Sequence, residues 1–337
     1  PLMRVTVVGA GAIGGYLAVR LSRAGADVTC IARGPNLAAI QHKGMSLILE
    51  DGTVEAAPKI RGLQNMAEAG EQDVVLVTLK AHQVQDVAPQ MRALYGPNTM
   101  VVTMQNGIPW WYFHKLGGDY DGRPVTSVDP QGIVAANLEV DRVIGAVVYP
   151  ATELVEPGVV QLIEGNRFTL GELDGSRSER IEALSALMIA AGFKSPVARD
   201  IRAEMWVKLW GNLSFNPISA LTHATLEDIC RQPLTRELAA TMMTEAQTIA
   251  EKLGIEFKIS LDKRIAGAEA VGAHKTSMLQ DVEGGRPLEL EALVGSVREL
   301  GRITGTPTPA IDAVYALVSL LAQTLATQGG KLAVQSR

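Results

Sequence analysis

The chain has 337 residues, a formal net charge of −5, 47% hydrophobic and 20% charged residues, and no Lys/Arg tract. This composition excludes a disordered chain and argues against a nucleic-acid or anionic-membrane partner, both of which need clustered basic surface. At roughly 100–200 residues per domain, the length predicts two domains. The two cysteines, Cys30 and Cys230, are too far apart in sequence for a disulfide framework or a metal-ligand spacing. The histidines at 42, 82, 114, 223 and 274 form no HExxH or HxxxH pair, so no metal is expected. No apolar run reaches the roughly 18 residues of a membrane span. The nearest, Ala313 to Ala326, is interrupted by Ser319, Gln323 and Thr324. The N-terminus, with Met3 read as the natural start, passes from an apolar run straight into a glycine turn and shows no secretory leader. The expectation is a soluble cytoplasmic protein.

In chain order, Arg4–Val8 reads as a buried strand and Ile13–Arg23 as an amphipathic helix. Strands follow at 27–32, 73–78 and 99–104, with a helical stretch between the last two. Further strands are expected near 143–148, 158–163 and 167–171, then a helix over about 177–191. Fully apolar strands separated by helices indicate a parallel sheet covered on both faces. After Ile201 strand patterns almost vanish, and helices are predicted at 202–216, 233–253, 259–267, 287–304 and 309–327. The fold class is therefore α/β: an N-terminal Rossmann-type doubly wound sheet (1–199) followed by an all-helical domain (200–337), with a frayed tail from Gln328.

Between the first strand and helix stands Gly9-Ala10-Gly11-Ala12-Ile13-Gly14, a G-x-G-x-x-G in the βαβ context that gives it meaning. The first glycine permits the tight turn and the second lets the backbone approach a pyrophosphate. The third packs helix on strand, and the helix N-terminus offers amides to the anion. An NAD enzyme usually places an acid at the end of the second strand for the ribose 2′-hydroxyl. Here the strand ends Cys30-Ile31-Ala32-Arg33, with no carboxylate, and Arg33 offers a fork of donors to a 2′-phosphate. The cofactor expected is NADP (NADPH). Lys80 and Asn106-Gly107 follow later strands at their carboxyl ends, where such folds bind ligands; taken alone they read as a surface lysine and a turn.

In the helical half, Lys208, Asn212 and Asn216 are spaced i, i+4, i+8 and line one helical face, and Pro217 is expected to end or kink that helix after Asn216. Lys275-Thr276-Ser277-Met278-Leu279-Gln280-Asp281 offers Thr276 as an N-cap. Glu289 and Glu291 follow Pro287 and could be first-turn acids.

In this combination the chain resembles the ketopantoate reductases (2-dehydropantoate 2-reductases). The resemblance is carried by Gly9–Gly14, Ile31-Ala32-Arg33, Lys80, Gln105-Asn106-Gly107, Arg202–Lys208 with Asn212 and Asn216, and Ser277–Asp281 with Glu289, in family order. It implies that Lys208 donates the proton to the ketone oxygen as hydride arrives from the nicotinamide. It implies that Asn106, Asn212, Asn216 and Ser277 bind the substrate, the serine at its carboxylate. Gly9, Ala10, Gly11, Ala12, Ile13, Gly14, Arg33, Lys80, Asn106, Ala151 and Glu289 would serve the cofactor, Glu289 standing at the edge it shares with the substrate. An ammonium supplies both a proton and the positive charge a developing alkoxide needs, and burial would lower its pKa towards a useful range.

After Asn106-Gly107 the sequence departs from the family's short polar helix with Ile108-Pro109-Trp110-Trp111-Tyr112-Phe113-His114. These aromatics read either as a wall of the substrate pocket or as a plug or interface. The reading is an NADPH-dependent reductase of 2-dehydropantoate in pantothenate synthesis, acting on a small 2-oxo acid, with a homodimer as an expected assembly. A reductase of a bulkier 2-oxo acid and a non-catalytic NADP sensor stand as alternatives.

Overall fold

β1 (Arg4–Val8) runs through the middle of the larger of two sheets, with β2 (Asp27–Ile31) on one side and β6 (Gln72–Val77) on the other. A computed structural model describes residues 2–332. By their internal contacts these fall into two compact units. The first comprises the chain through Asn106, Trp110–Pro124 and Asp129–Ile201; the second comprises Gly107–Pro109, Val125–Val128 and the chain from Arg202. Each is described by itself.

In the first unit the remaining strands are β3 (Met45–Ile48), β4 (Val54–Ala57), β5 (Arg61–Leu63), β7 (Tyr95–Thr103), β8 (Val143–Val148), β9 (Ala151–Glu156), β10 (Val159–Glu164) and β11 (Phe168–Glu172). Its helices are α1 (Ala12–Arg23), α2 (Gly34–Lys43), α3 (Ala81–Val87), α4 (Ile133–Leu138) and α5 (Glu179–Ala190). The seven-stranded sheet has the order β11-β8-β7-β6-β1-β2-β5, parallel except for β11. Val5, Val7, Val74, Val75, Leu76, Val101 and Val102 are fully buried, as expected of parallel strands covered on both faces. The strand order reverses between β1 and β6, so their carboxyl ends open the crevice in which such sheets take a ligand.

A second, four-stranded sheet, β4-β3-β10-β9, packs against α1. Gly15 of α1 allows this approach, since a Cβ there would lie 2.4 Å from Val160 Cγ2. Strands β3, β4, β5 and β9 and helix α2 were not expected from the sequence. The short Val54-Glu55-Ala56-Ala57 has little intrinsic strand preference and is extended because it pairs with β3. The Gly34-Pro35-Asn36 start of α2 has the composition of a turn.

The aromatic run is resolved as core. Trp110, Trp111, Tyr112 and Phe113 are all buried, Trp111 Nε1 donates to Thr103 Oγ1 at 2.8 Å, and the Trp111 ring covers Gly145 of β8 so closely that a Cβ would meet it at 2.9 Å. These rings anchor the segment after β7 to the sheet.

In the second unit the helices are α6 (Ile201–Asn212, whose first residue belongs to the first unit), α7 (Phe215–Thr222), α8 (Leu226–Arg231), α9 (Pro233–Lys252), α10 (Leu261–Val271), α11 (Ser277–Glu283), α12 (Ser296–Thr304) and α13 (Pro309–Thr327). No strand occurs among its described residues. A π-helical turn, Glu291–Gly295, leads into α12.

Two expectations are corrected. The predicted 202–216 helix breaks at Leu213-Ser214, before Asn216 rather than after it. Pro217 instead sits in the first turn of α7, where its missing N–H has no intrahelical acceptor to lose, and the Ser214 hydroxyl back-bonds to Trp210 O at 2.9 Å. The helix expected over 309–327 is present as Pro309–Thr327, but the reading that no apolar run reaches the length of a membrane span is corrected, because this helix is long and apolar enough by composition to cross one. Ser319, Gln323 and Thr324 do not break it, and Ile311, Val314, Val318 and Leu325 are buried. Of the tail expected from Gln328, residues 333–337 lie outside the described residues.

If Trp111 is core rather than pocket lining, Trp111→Ala should cost about 3–5 kcal/mol of stability. Urea unfolding of the variant against wild type measures this, and a loss below about 1 kcal/mol would contradict the assignment.

Candidate functional site

In the first unit, the candidate dinucleotide site is built from the turn that follows β1. Gly9 has φ +105°, which L side chains rarely adopt, and a Cβ there would meet Leu79 Cδ2 at 2.8 Å. A Cβ on Gly14 would lie 2.0 Å from the Gly9 carbonyl oxygen, so the helix can approach the strand only without one. At Gly11, by contrast, a Cβ would meet nothing within 4 Å. The loop is thus closed towards the protein at Gly9 and Gly14 and open at Gly11. This fits the pyrophosphate of a dinucleotide at the N-terminus of the twelve-residue α1.

Two side chains not singled out in the sequence hold this loop. Thr78, just past β6, donates its hydroxyl to Gly9 O at 2.6 Å. Asn36 of α2 donates to Ala10 O at 2.7 Å and accepts from Gly158 N at 2.8 Å, joining the glycine turn to the β9–β10 turn. Neither has a local signature, because their partners are remote in sequence.

Arg33 is exposed immediately after β2, at the N-cap of α2, with no acid beside it at the strand's carboxyl end. Lys80 is the N-cap of α3, its backbone N–H held by Gln83 Oε1 at 3.1 Å. Ala151 opens β9 opposite Glu164, and Asn106 lies just past β7, half-buried.

The second unit brings together the remaining predicted residues. Lys208 lies on α6, one turn before Asn212, with its side chain mostly out of solvent. Burial pushes its ammonium down to about 8, while the negative charge of Glu289 pulls in the opposite direction with less effect. Asn216, buried in α7, donates to Ser277 Oγ at 3.5 Å, a long contact. Thr276 caps α11 by accepting from Leu279 N at 3.2 Å, and its hydroxyl lies 2.5 Å from Ser219 Oγ. Ser219 also donates to Asn216 O at 2.7 Å. The cap expectation for Thr276 holds, which leaves Ser277 at the first position of α11. Glu289 precedes the helical turn and is half-buried, whereas Glu291 is exposed and accepts from Tyr315 OH at 2.5 Å. No group of His, Cys, Asp and Glu suited to a metal occurs among the described residues.

Residues 5–175 match the family model described as ketopantoate reductase PanE/ApbA, and residues 200–322 match its C-terminal counterpart. The chain belongs to the ketopantoate reductase family. It is 54% identical to the 2-dehydropantoate 2-reductase of Mesorhizobium japonicum over 95% of this chain and 98% of that one. It is 28% identical to the same-named protein of Archaeoglobus fulgidus, over 90% and 92%. Among solved structures it is similar to a Ralstonia solanacearum chain classed as a ketopantoate reductase, with a TM-score of 0.92 and 41% identity over 97% and 99% of the two chains. It also shares the fold of a D-mandelate dehydrogenase solved with NADH, with a TM-score of 0.81 and 20% identity over 96% and 100%.

The glycine loop makes a paired prediction. Gly14→Ala should destabilise the fold by about 1–3 kcal/mol through overpacking. Gly11→Ala should leave stability unchanged but weaken dinucleotide binding about tenfold or more, equivalent to ~1.4 kcal/mol. Thermal unfolding and fluorescence titration with NADPH read the two effects separately.

Proposed function

We propose that this protein reduces 2-dehydropantoate to (R)-pantoate with NADPH, a step of pantothenate biosynthesis. The observation that carries the reading is Lys208, a lysine whose pKa near 8 lets it hold a proton at neutral pH and release it readily. It lies within a family member that matches a 2-dehydropantoate 2-reductase over nearly its full length. When bound, the dinucleotide supplies the hydride.

The chain's own residues do the rest. The amides of the Gly9–Gly14 turn hold the pyrophosphate, with Lys80, Ala151 and Asn106 as further cofactor contacts, and Arg33 pairs with the 2′-phosphate. Ser277 takes the substrate carboxylate, and Asn212, Asn216 and Asn106 orient the remaining polar atoms. Lys208 stabilises the charge that builds on the ketone oxygen and donates its proton there. Glu289, at the edge where cofactor and substrate meet, limits how far the ammonium pKa falls.

The aromatic run gives no support for a bulkier acid, since all four rings are buried and Trp111 packs on Thr103 and Gly145. A pure sensor would not need a desolvated proton donor. We further infer a cytoplasmic homodimer. An exposed apolar row on α13, including Ala313, Ala316, Leu317 and Leu320, supports it, as does the lack of any charged residue from Ala313 to Thr327.

Lys208→Ala should lower kcat by about 10²–10⁴ while NADPH binding persists. Turnover like wild type in that variant would remove Lys208 from the mechanism. Because the donor is the protonated form and its pKa is lowered to about 8, kcat/KM should hold below pH 8 and fall above it. The sign for stability is the reverse: the unfolded lysine keeps its proton to higher pH, so this group's penalty on the fold is relieved as pH rises from about 8 towards 10.5. Arg33→Ala should raise KM for NADPH while leaving KM for NADH nearly unchanged, narrowing the preference in steady-state assays.

A further inference from the structure

Gly211 stands in the last turn of α6, three residues after Lys208 and one before Asn212, within a helix where glycine is less favourable than alanine. What it leaves room for is Arg264 of α10. A Cβ on Gly211 would lie 2.1 Å from one terminal nitrogen of that guanidinium and 2.9 Å from its Cζ. Arg264 Nε donates to the Val207 carbonyl at a long 3.5 Å. The guanidinium therefore lies against the backbone of residues 207–211, the helical turn that carries Lys208.

Arg264 is half-buried, and burial holds its pKa below the usual arginine range. No acid pairs with it among the described residues. A cation taken out of water without a carboxylate is costly, whereas the carbonyl end of a helix carries partial negative charge that favours one. The last turn of α6 is such an end. A second directional attachment holds the same turn: Trp210 Nε1 donates to Met243 O of α9 at 2.8 Å. Val207, Trp210 and Gly211 are spaced i, i+3, i+4 and share one face of α6, while Lys208 and Asn212 line the face beside it. Apolar packing alone would leave the helix some freedom to rotate about its axis. Contacts to particular backbone and indole atoms fix that rotation.

We propose that Arg264 is a positioning residue for Lys208, its guanidinium seated in the gap at Gly211 and fixing the rotation of the last turn of α6. It acts through the helix and not on the reacting atoms. The proposal rests on the reading that Lys208 is the proton donor. Burial outweighs Glu289, the charged group acting on Lys208, in setting its pKa near 8. A turn freed to rotate admits water to the ammonium and lets that value climb back towards 10.5.

The test is steady-state reduction of 2-dehydropantoate by NADPH across pH with wild type, Arg264→Met, Gly211→Ala and the double variant. Active sites are counted by NADPH titration, and thermal unfolding is read in parallel. Alanine suits a helix, and its methyl meets the far end of a flexible side chain, so Gly211→Ala keeps the fold and pushes the guanidinium out. We expect each single variant to lower kcat per titrated site about tenfold or more, as small misplacements of a site do. The basic limb of kcat/KM should move up from pH 8 by about half a unit or more. On the Arg264→Met background Gly211→Ala should cost less than about twofold, because no guanidinium remains to displace. A merely structural role would lower the unfolding temperature and the number of titrated sites, leaving kcat per site and the limb intact. A basic limb unmoved in Arg264→Met, or a Gly211→Ala loss that multiplies in full onto it, overturns the proposal. Should Arg264→Met not fold, Gly211→Ala decides alone, and an unmoved limb there overturns it. Failure of the underlying reading has its own signature: Lys208→Ala turning over like wild type removes the proton donor and the positioning role together. An inactive Lys208→Ala beside an unmoved limb in Arg264→Met removes the positioning role alone.

Discussion

The turn after β1 is the constraint on which the nucleotide unit depends. The carbonyl of Gly9 occupies the space that a side chain at position 14 would need, so α1 can start where it does only if that residue is glycine. The same carbonyl receives the Thr78 hydroxyl from the end of β6, while Asn36 secures the neighbouring carbonyl of Ala10 from α2. The three elements around the strand-order reversal are thereby tied to one short stretch of backbone. Its outward side is left bare at Gly11, so backbone amides of the turn itself can approach a pyrophosphate.

In the helical unit the governing balance is electrostatic. Desolvation of Lys208 outweighs the attraction of Glu289, and the net effect brings an ordinary lysine into the range where proton transfer near neutrality is efficient. Were the attraction to win, the ammonium would be held too firmly to give up its proton. Were the carboxylate absent, the same burial would favour the neutral amine and remove the positive charge that a forming alkoxide needs. On the proposed reading, the lysine serves as proton donor between these limits.

Much of this was legible in the sequence because it is local. The fingerprint is a strand, a turn and a helix in one continuous stretch, and the missing acid before Arg33 is read directly from the end of β2. Lys208, Asn212 and Asn216 were recognisable by spacing, although the helix breaks between the last two, and Asn216 meets Ser277 from a separate helix. What was hidden is non-local. Thr78 and Asn36 are ordinary residues whose roles come from partners far along the chain. The small second sheet exists through pairing rather than propensity. The tryptophans were legible only as alternatives: Trp110 and Trp111, beside Asn106, read either as a pocket wall or as a plug, and it is their burial and the approach of Trp111 to Gly145 that favour packing.

The two returning segments have a consequence for how the polypeptide can be divided. The chain passes between its units after Asn106, Pro109, Pro124, Val128 and Ile201, so no single scission yields two whole pieces. A fragment ending near residue 200 would carry residues 107–109 and 125–128 away from their helix. The complementary fragment would leave the Glu299 carboxylate without the Thr126 and Ser127 amides from which it accepts. The halves of this enzyme therefore form one inheritable and foldable whole, and neither can be exchanged for a foreign counterpart without taking part of the other with it.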